Sequence, residues 1–207
     1  MARDERGDLV DLLTSLKPEQ WDAPTLCEEW RVRDVVAHMF SYDELSTPGL
    51  MRRFARGWFV LNRVNAVGVT EYTRRTPDEL LALVRANLEP SGLPGYFGGL
   101  VALIDGMIHQ QDIRRSLGIS RDIPPDRLQT ALQYALWAPA VRGAWRARGL
   151  RLVATDLDWS FGKGPEVHGP GEALLMTMGF RRGVVGELSG PGQPKLAKRI
   201  KRWRGRP

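Results

Sequence analysis

The stretch LVALIDGMIHQQDIRRSLG, residues 100–118, decides the fold. It contains no proline and stops at Gly118, a residue that accepts the left-handed conformation common just past a helix end, so the spacing predicts one long helix. Leu100, Val101, Leu103, Ile104, Met107 and Ile108 make that helix apolar over much of its surface, which places it in the core of a helical domain. Asp105 and His109 then lie near the core and need partners there. Four residues apart, they project from one helical face with Cβ atoms about 5–6 Å apart. They can pair locally by a hydrogen bond, or share one ion with a third ligand.

The chain has three histidines, and His38 sits on the other helix best placed to supply that ligand. Val32, Val35, Val36, Met39 and Phe40 give the segment around His38 helical spacing. Three protein ligands would leave a position free for water or a substrate atom, as in catalytic rather than structural zinc sites. The bland alternative makes His38 a satisfied polar residue at the edge of an apolar stripe. Asp112, one turn beyond His109, can orient the imidazole from behind or pair with Arg115. Cys27 has no base nearby in sequence and reads as a small buried hydrophobe. Trp21 and Trp30 read as core anchors, and His168 as structural or exposed.

Further helices surround this pair. Leu9, Leu12, Leu13 and Leu16 predict an amphipathic helix over about residues 4–17, ended by Pro18. Residues 50–67 are apolar at intervals of three and four and read as one helix, weakened by Gly57. Thr76, Pro77 and Glu79 form a helix start with a capping box. Pro124 and Pro125 open a pattern that runs through Leu136 to Trp145, with a kink expected at Pro139. At Gly149 the period changes to that of a strand, followed by a turn at Gly162, Gly164 and Pro165, a short strand over 166–168 and a helix over 172–181. The expected domains are therefore 1–148 (helical, metal-binding), 149–193 (small α+β) and 194–207 (a basic tail).

Composition narrows the class. With 43% hydrophobic and 26% charged residues the chain is that of a folded globular protein, and one cysteine excludes a disulfide scaffold or a thiolate-rich zinc site. The net charge of +6 suggests nucleic acid until it is located: Lys195, Lys198, Arg199, Lys201, Arg202, Arg204 and Arg206 carry it, and no acid follows Lys195. The body is close to neutral, the tail reads as a solvated terminus, and no specific nucleic-acid partner is expected. The start MARDERGD lacks an apolar leader and no run reaches a membrane span, so a cytoplasmic protein without membrane insertion is expected. The oligomeric expectation is a monomer or homodimer.

Three stretches carry a family resemblance. WDAPTLCEEWRVRDVVAHM (21–39) followed by DGMIHQQDIRRSLG (105–118) resembles the mycothiol-dependent maleylpyruvate isomerase family, within the DinB-like metal-binding bundles. HGPGEALLMTMGFRRG (168–183) resembles that family's small C-terminal domain. The resemblance implies a mainly α fold: a DinB-like four-helix bundle with a small C-terminal α+β unit. It implies a divalent metal, usually zinc, on His38, Asp105 and His109, and mycothiol or another low-molecular-weight thiol as co-reactant. The implied activity is thiol transfer or thiol-assisted isomerisation of a small electrophilic substrate; a catalytically silent metal- or ligand-binding bundle is the alternative. Arg181 falls close to the family's glycine-arginine pair and is the candidate catalytic cation, with Phe180 at the expected glycine. The family's acidic ligand is commonly glutamate, where this chain has Asp105.

Overall fold

The computed structural model describes residues 1–27 and 30–202. Contacts divide the described residues into two compact units, 1–120 and 121–202.

In the first unit, four helices close a ring. α1 (Ala2–Ser15) and α2 (Val32–Phe40) each pack against both α5 (Pro77–Ala86) and α6 (Leu100–Leu117). Leu9 and Leu13 of α1, Val35, Val36 and Phe40 of α2, Leu80 and Val84 of α5 and Ile113 of α6 fill the centre. Truncating Leu13 or Leu80 to alanine would cost about 2–5 kcal/mol, the range for a buried leucine with little room to collapse. The ends are set by local chemistry. Thr76 Oγ1 accepts from the Glu79 amide at 3.2 Å and the Glu79 carboxylate accepts from the Thr76 amide at 2.7 Å, the reciprocal cap the sequence announces. Gly118, at φ 68°, closes α6 where expected.

Charged groups inside this bundle are paired. Arg6 of α1 grips Asp43, just past α2, through two hydrogen bonds of 2.9 and 3.0 Å, and its guanidinium lies 4.7 Å from the centre of the Phe40 ring. Glu5 accepts from Gln110 of α6 at 3.1 Å. These bonds fix how α1 sits on the helices that carry the histidines.

Residues 50–67 form two helices rather than the one expected. α3 (Thr47–Arg56) and α4 (Leu61–Tyr72) are separated by a turn in which Trp58 and Phe59 take φ of 55° and 56°. A Cβ on Gly57 would lie 2.6 Å from the Val64 amide nitrogen, so the glycine permits the hairpin to close. The apolar period continues through the break, which is why spacing alone does not reveal it. α4 packs on α2 and attaches the hairpin to the bundle.

The second unit is α+β. α7 (Pro125–Ala135) packs on α9 (Gly171–Met178), and α9 also meets β1 (Arg151–Ala154). The pattern expected to continue to Trp145 stops instead: a separate turn of helix, α8 (Gly143–Arg146), follows Arg142 at φ 52°. Pro139, without an N–H and restricting the residue before it, ends the helix rather than kinking it. The sheet order is β2 (Ser160–Gly162), β1, β3 (Glu166–Gly169), with β1 antiparallel to β2 and parallel to β3. Three residues carry the chain from β2 to β3 past the start of β1. A Cβ on Gly164 would lie 2.7 Å from the Gly149 carbonyl oxygen, so only glycine passes there. The change of period at Gly149 thus falls inside the second unit.

The basic C-terminal segment is helical as far as it is described. α10 (Gln193–Arg202) buries Leu196 and Ile200 and packs on β3 and the 3-10 turn Arg182–Glu187. Two apolar residues four apart anchor what charge alone marks as a tail. Residues 203–207, with Arg204 and Arg206, lie outside the described residues. Among the described residues no helix is long and apolar enough to cross a membrane.

Candidate metal centre

α2 and α6 lie side by side in the ring and bring His38, Asp105 and His109 together. Each offers one ligand-capable atom, and the three atoms lie within 4.8 Å of one another. His38 Nε2 is 3.5 Å from Asp105 Oδ1, and His109 Nε2 is 3.6 Å from the same oxygen. Both separations exceed the 2.7–3.2 Å usual for an N–H···O hydrogen bond. They match instead the edge of a tetrahedron around an ion bound at about 2.0–2.2 Å, roughly 3.4 Å. The two imidazoles and one carboxylate are also a donor set suited to zinc. The residues therefore fit the metal that the sequence suggested.

The electrostatics point the same way. His38 and His109 are buried while the Asp105 side chain is about one-third exposed (35%), so the centre opens to solvent on the carboxylate side. Burial opposes ionisation of Asp105, but the His109 and His38 imidazoles outweigh it and hold the carboxyl below the usual range. Burial likewise opposes a charge on His109, and Asp105 and Asp112 reverse that, raising its affinity for a proton. A pocket that draws a proton in this way favours a cation.

Each histidine has its own support. His109 Nδ1 lies 3.0 Å from Asp112 Oδ2, and the Asp112 side chain is fully buried. If Nδ1 carries the proton, the Nε2 lone pair faces Asp105 and His38, the tautomer a metal ligand needs. His38 sits between rings: Trp30 at 4.8 Å between centroids, His109 at 4.9 Å, and Tyr42 edge-on at 6.2 Å. The Tyr42 hydroxyl donates to Asn65 Oδ1 at 2.6 Å, and burial, aided by Asp105 and opposed by Arg53, pushes its phenol up to about 12.

Residues 2–90 match the family model described as the mycothiol maleylpyruvate isomerase N-terminal domain. The family resemblance read from the sequence is thus matched over the N-terminal part of the chain. Two solved structures share its fold: the mycothiol-dependent maleylpyruvate isomerase, at 15% identity, and a histidine-to-alanine mutant described under the same name, at 16%. Each aligns over 93% of this chain and 90% of its own, with a TM-score of 0.63. No curated protein matches. The family match includes His38, whereas Asp105 and His109 lie beyond it and are joined to the site by geometry alone.

Relative to the family motifs, the structure gathers His38, Asp105, His109 and Asp112 in one place and adds three residues. Trp30, read from sequence as a core anchor, also lies 6.1 Å from the His109 ring and so faces both imidazoles. Tyr42 was not singled out, although it stands one turn after His38. Cys27 corrects an expectation: its thiol has a base beside it, since its sulfur and ligand atoms of His109 and Asp112 lie within 4.8 Å of one another. The Leu26 amide donates to the Asp112 carbonyl at 3.2 Å, which pins that loop to α6. No spacing in the sequence could announce a contact between residues so far apart in the chain. Arg181 lies in the second unit, half-buried, with its Nη1 donating to the Gly179 carbonyl at 2.6 Å.

Proposed function

We propose that the protein is a metal-dependent enzyme that uses a low-molecular-weight thiol, mycothiol or a close equivalent, for thiol transfer to, or thiol-assisted isomerisation of, a small electrophilic substrate. The observation that carries this reading is the pair of 3.5 and 3.6 Å separations from Asp105 Oδ1 to the two Nε2 atoms. His38, Asp105 and His109 would hold the ion, zinc by its donor set. A divalent cation there supplies the positive charge that favours a bound thiolate over a thiol.

The chain's own residues do the rest. Asp112 holds the His109 ring by Nδ1 and keeps Nε2 turned to the centre. Trp30 packs near both imidazoles, and the partly exposed Asp105 is taken as the side on which thiol and substrate approach. Arg181 is assigned the substrate carboxylate or developing negative charge, on its place in the family-like C-terminal motif.

Calorimetric titration of the zinc-loaded protein with mycothiol tests the reading. Saturable binding that vanishes after chelation, and in His109→Ala, is expected. Equal thiol binding with and without metal would remove the metal from the function. No binding of any low-molecular-weight thiol by the loaded protein would leave the catalytically silent bundle.

A further inference from the structure

The α3–α4 hairpin reverses the usual placement of side chains. The one residue of α3 classed as buried is a charged one, Arg53, at 2% exposure, while Met51 is 56% exposed. The turn that follows presents Trp58 at 77%, Phe59 at 66%, Val60 at 47% and Leu61 at 43%. Four consecutive large apolar side chains facing water are far from the scattered single residues of an ordinary surface.

The arrangement is built rather than frayed. Arg53 donates to the Ser41 carbonyl and hydroxyl oxygens at 2.9 Å each and to Glu71 at 2.7 Å, which locks the inward face. The Phe59 amide donates to the Phe54 carbonyl at 2.9 Å and the Val60 amide to Gly57 at 3.0 Å. Trp58 and Phe59 both sit at positive φ, a conformation bulky residues avoid, so the fold spends backbone strain to point two aromatic rings outward.

Charge selects the occupant. From Ser46 to Thr70 there is no aspartate or glutamate, against four arginines: Arg52, Arg53, Arg56 and Arg63. Arg53 and Arg56 pair with Glu71, and Arg52 and Arg63 are exposed on the two helices that flank the apolar turn. A second copy meeting this face through a twofold axis would set arginine against arginine. A four-residue tip also offers little area for a stable protein interface. Aromatic residues with arginines beside them suit the boundary of an anionic bilayer, where rings enter the headgroup layer and guanidinium groups meet phosphates. We infer that the α3–α4 turn docks the protein peripherally on an anionic lipid surface, through Trp58, Phe59, Arg52 and Arg63. This stands apart from the metal centre and does not depend on it.

Cosedimentation of the full chain with phosphatidylcholine vesicles, with and without phosphatidylglycerol, tests it. The parent is expected to bind the anionic vesicles and not the neutral ones, with a blue shift of tryptophan emission that Trp58→Ser abolishes. Trp58→Ser/Phe59→Ser and Arg52→Glu/Arg63→Glu should each lower partitioning roughly tenfold or more, with unchanged melting temperature, because the four side chains are exposed. No binding at low salt, or binding indifferent to both double variants, overturns the inference. So does binding lost only in Lys195→Glu/Lys198→Glu, which would assign the attraction to α10. Self-association without lipid that Trp58→Ser/Phe59→Ser removes would give the face to a second copy instead.

Discussion

On the α6 side of the candidate metal centre His109 is held by a hydrogen bond, its Nδ1 3.0 Å from a buried carboxylate; on the α2 side His38 lies among rings, with Trp30 and His109 within 4.9 Å and Tyr42 edge-on. A carboxylate fixes the tautomer as well as the direction of an imidazole, whereas packing fixes mainly its direction. The two candidate ligands should therefore respond differently when these supports are removed. Among the described residues the two candidate ligands thus have supports of different kinds, a buried carboxylate behind His109 and aromatic rings around His38.

The largest effect expected is His109→Ala, which removes a candidate ligand and should abolish stoichiometric zinc binding while the bundle keeps its helical circular dichroism. Asp112→Asn comes next. It leaves the shape but puts an amide where the carboxylate was, and zinc affinity measured by chelator competition should fall about 10–100-fold. Trp30→Leu removes one wall of the His38 cage without touching the tautomer, and roughly tenfold or less is expected in the same assay. If Trp30→Leu costs more than Asp112→Asn, the contrast between the two sides is reversed.

Smaller effects mark how α2 is braced from behind. Tyr42→Phe removes the hydrogen bond to Asn65 and should cost about 1 kcal/mol in denaturant unfolding, with little change in zinc affinity. Tyr72 on α4 donates to Glu44 just past α2, and burial first, then that bond, push its phenol up to about 12, above the roughly 10 of an unfolded chain. The unfolded state loses the proton first as pH rises. Stability is therefore complete below about pH 10 and declines as pH rises towards about 12. Unfolding free energy followed over that window should fall more steeply in the parent than in Tyr72→Phe; equal slopes would deny the shift.

The sequence was most legible where local chemistry settles the structure. α6 keeps its expected ends because Gly118 can take the left-handed conformation, and α5 its start because Thr76 and Glu79 close a box within four residues. His38 and His109 stood out as two of only three histidines, and Asp105 by its four-residue spacing from His109 on an apolar helix. The break at Gly57–Val60 was not, since the apolar period runs through it. Strand β2 was hidden by its length of three residues, too short for alternation to register. α10 was masked by its charge, with Leu196 and Ile200 alone marking the buried face. Cys27 and Trp30 join the site through a loop whose approach to α6 is a tertiary fact.

The central claim is that this chain holds one divalent ion on three side chains, and elemental analysis addresses it most directly. Parent and His109→Ala would be purified without chelator or histidine tag and analysed before and after incubation with zinc. About one ion per chain in the parent and close to none in the variant is the expected result. No metal in the parent even after incubation, or equal metal in both proteins, would contradict the account.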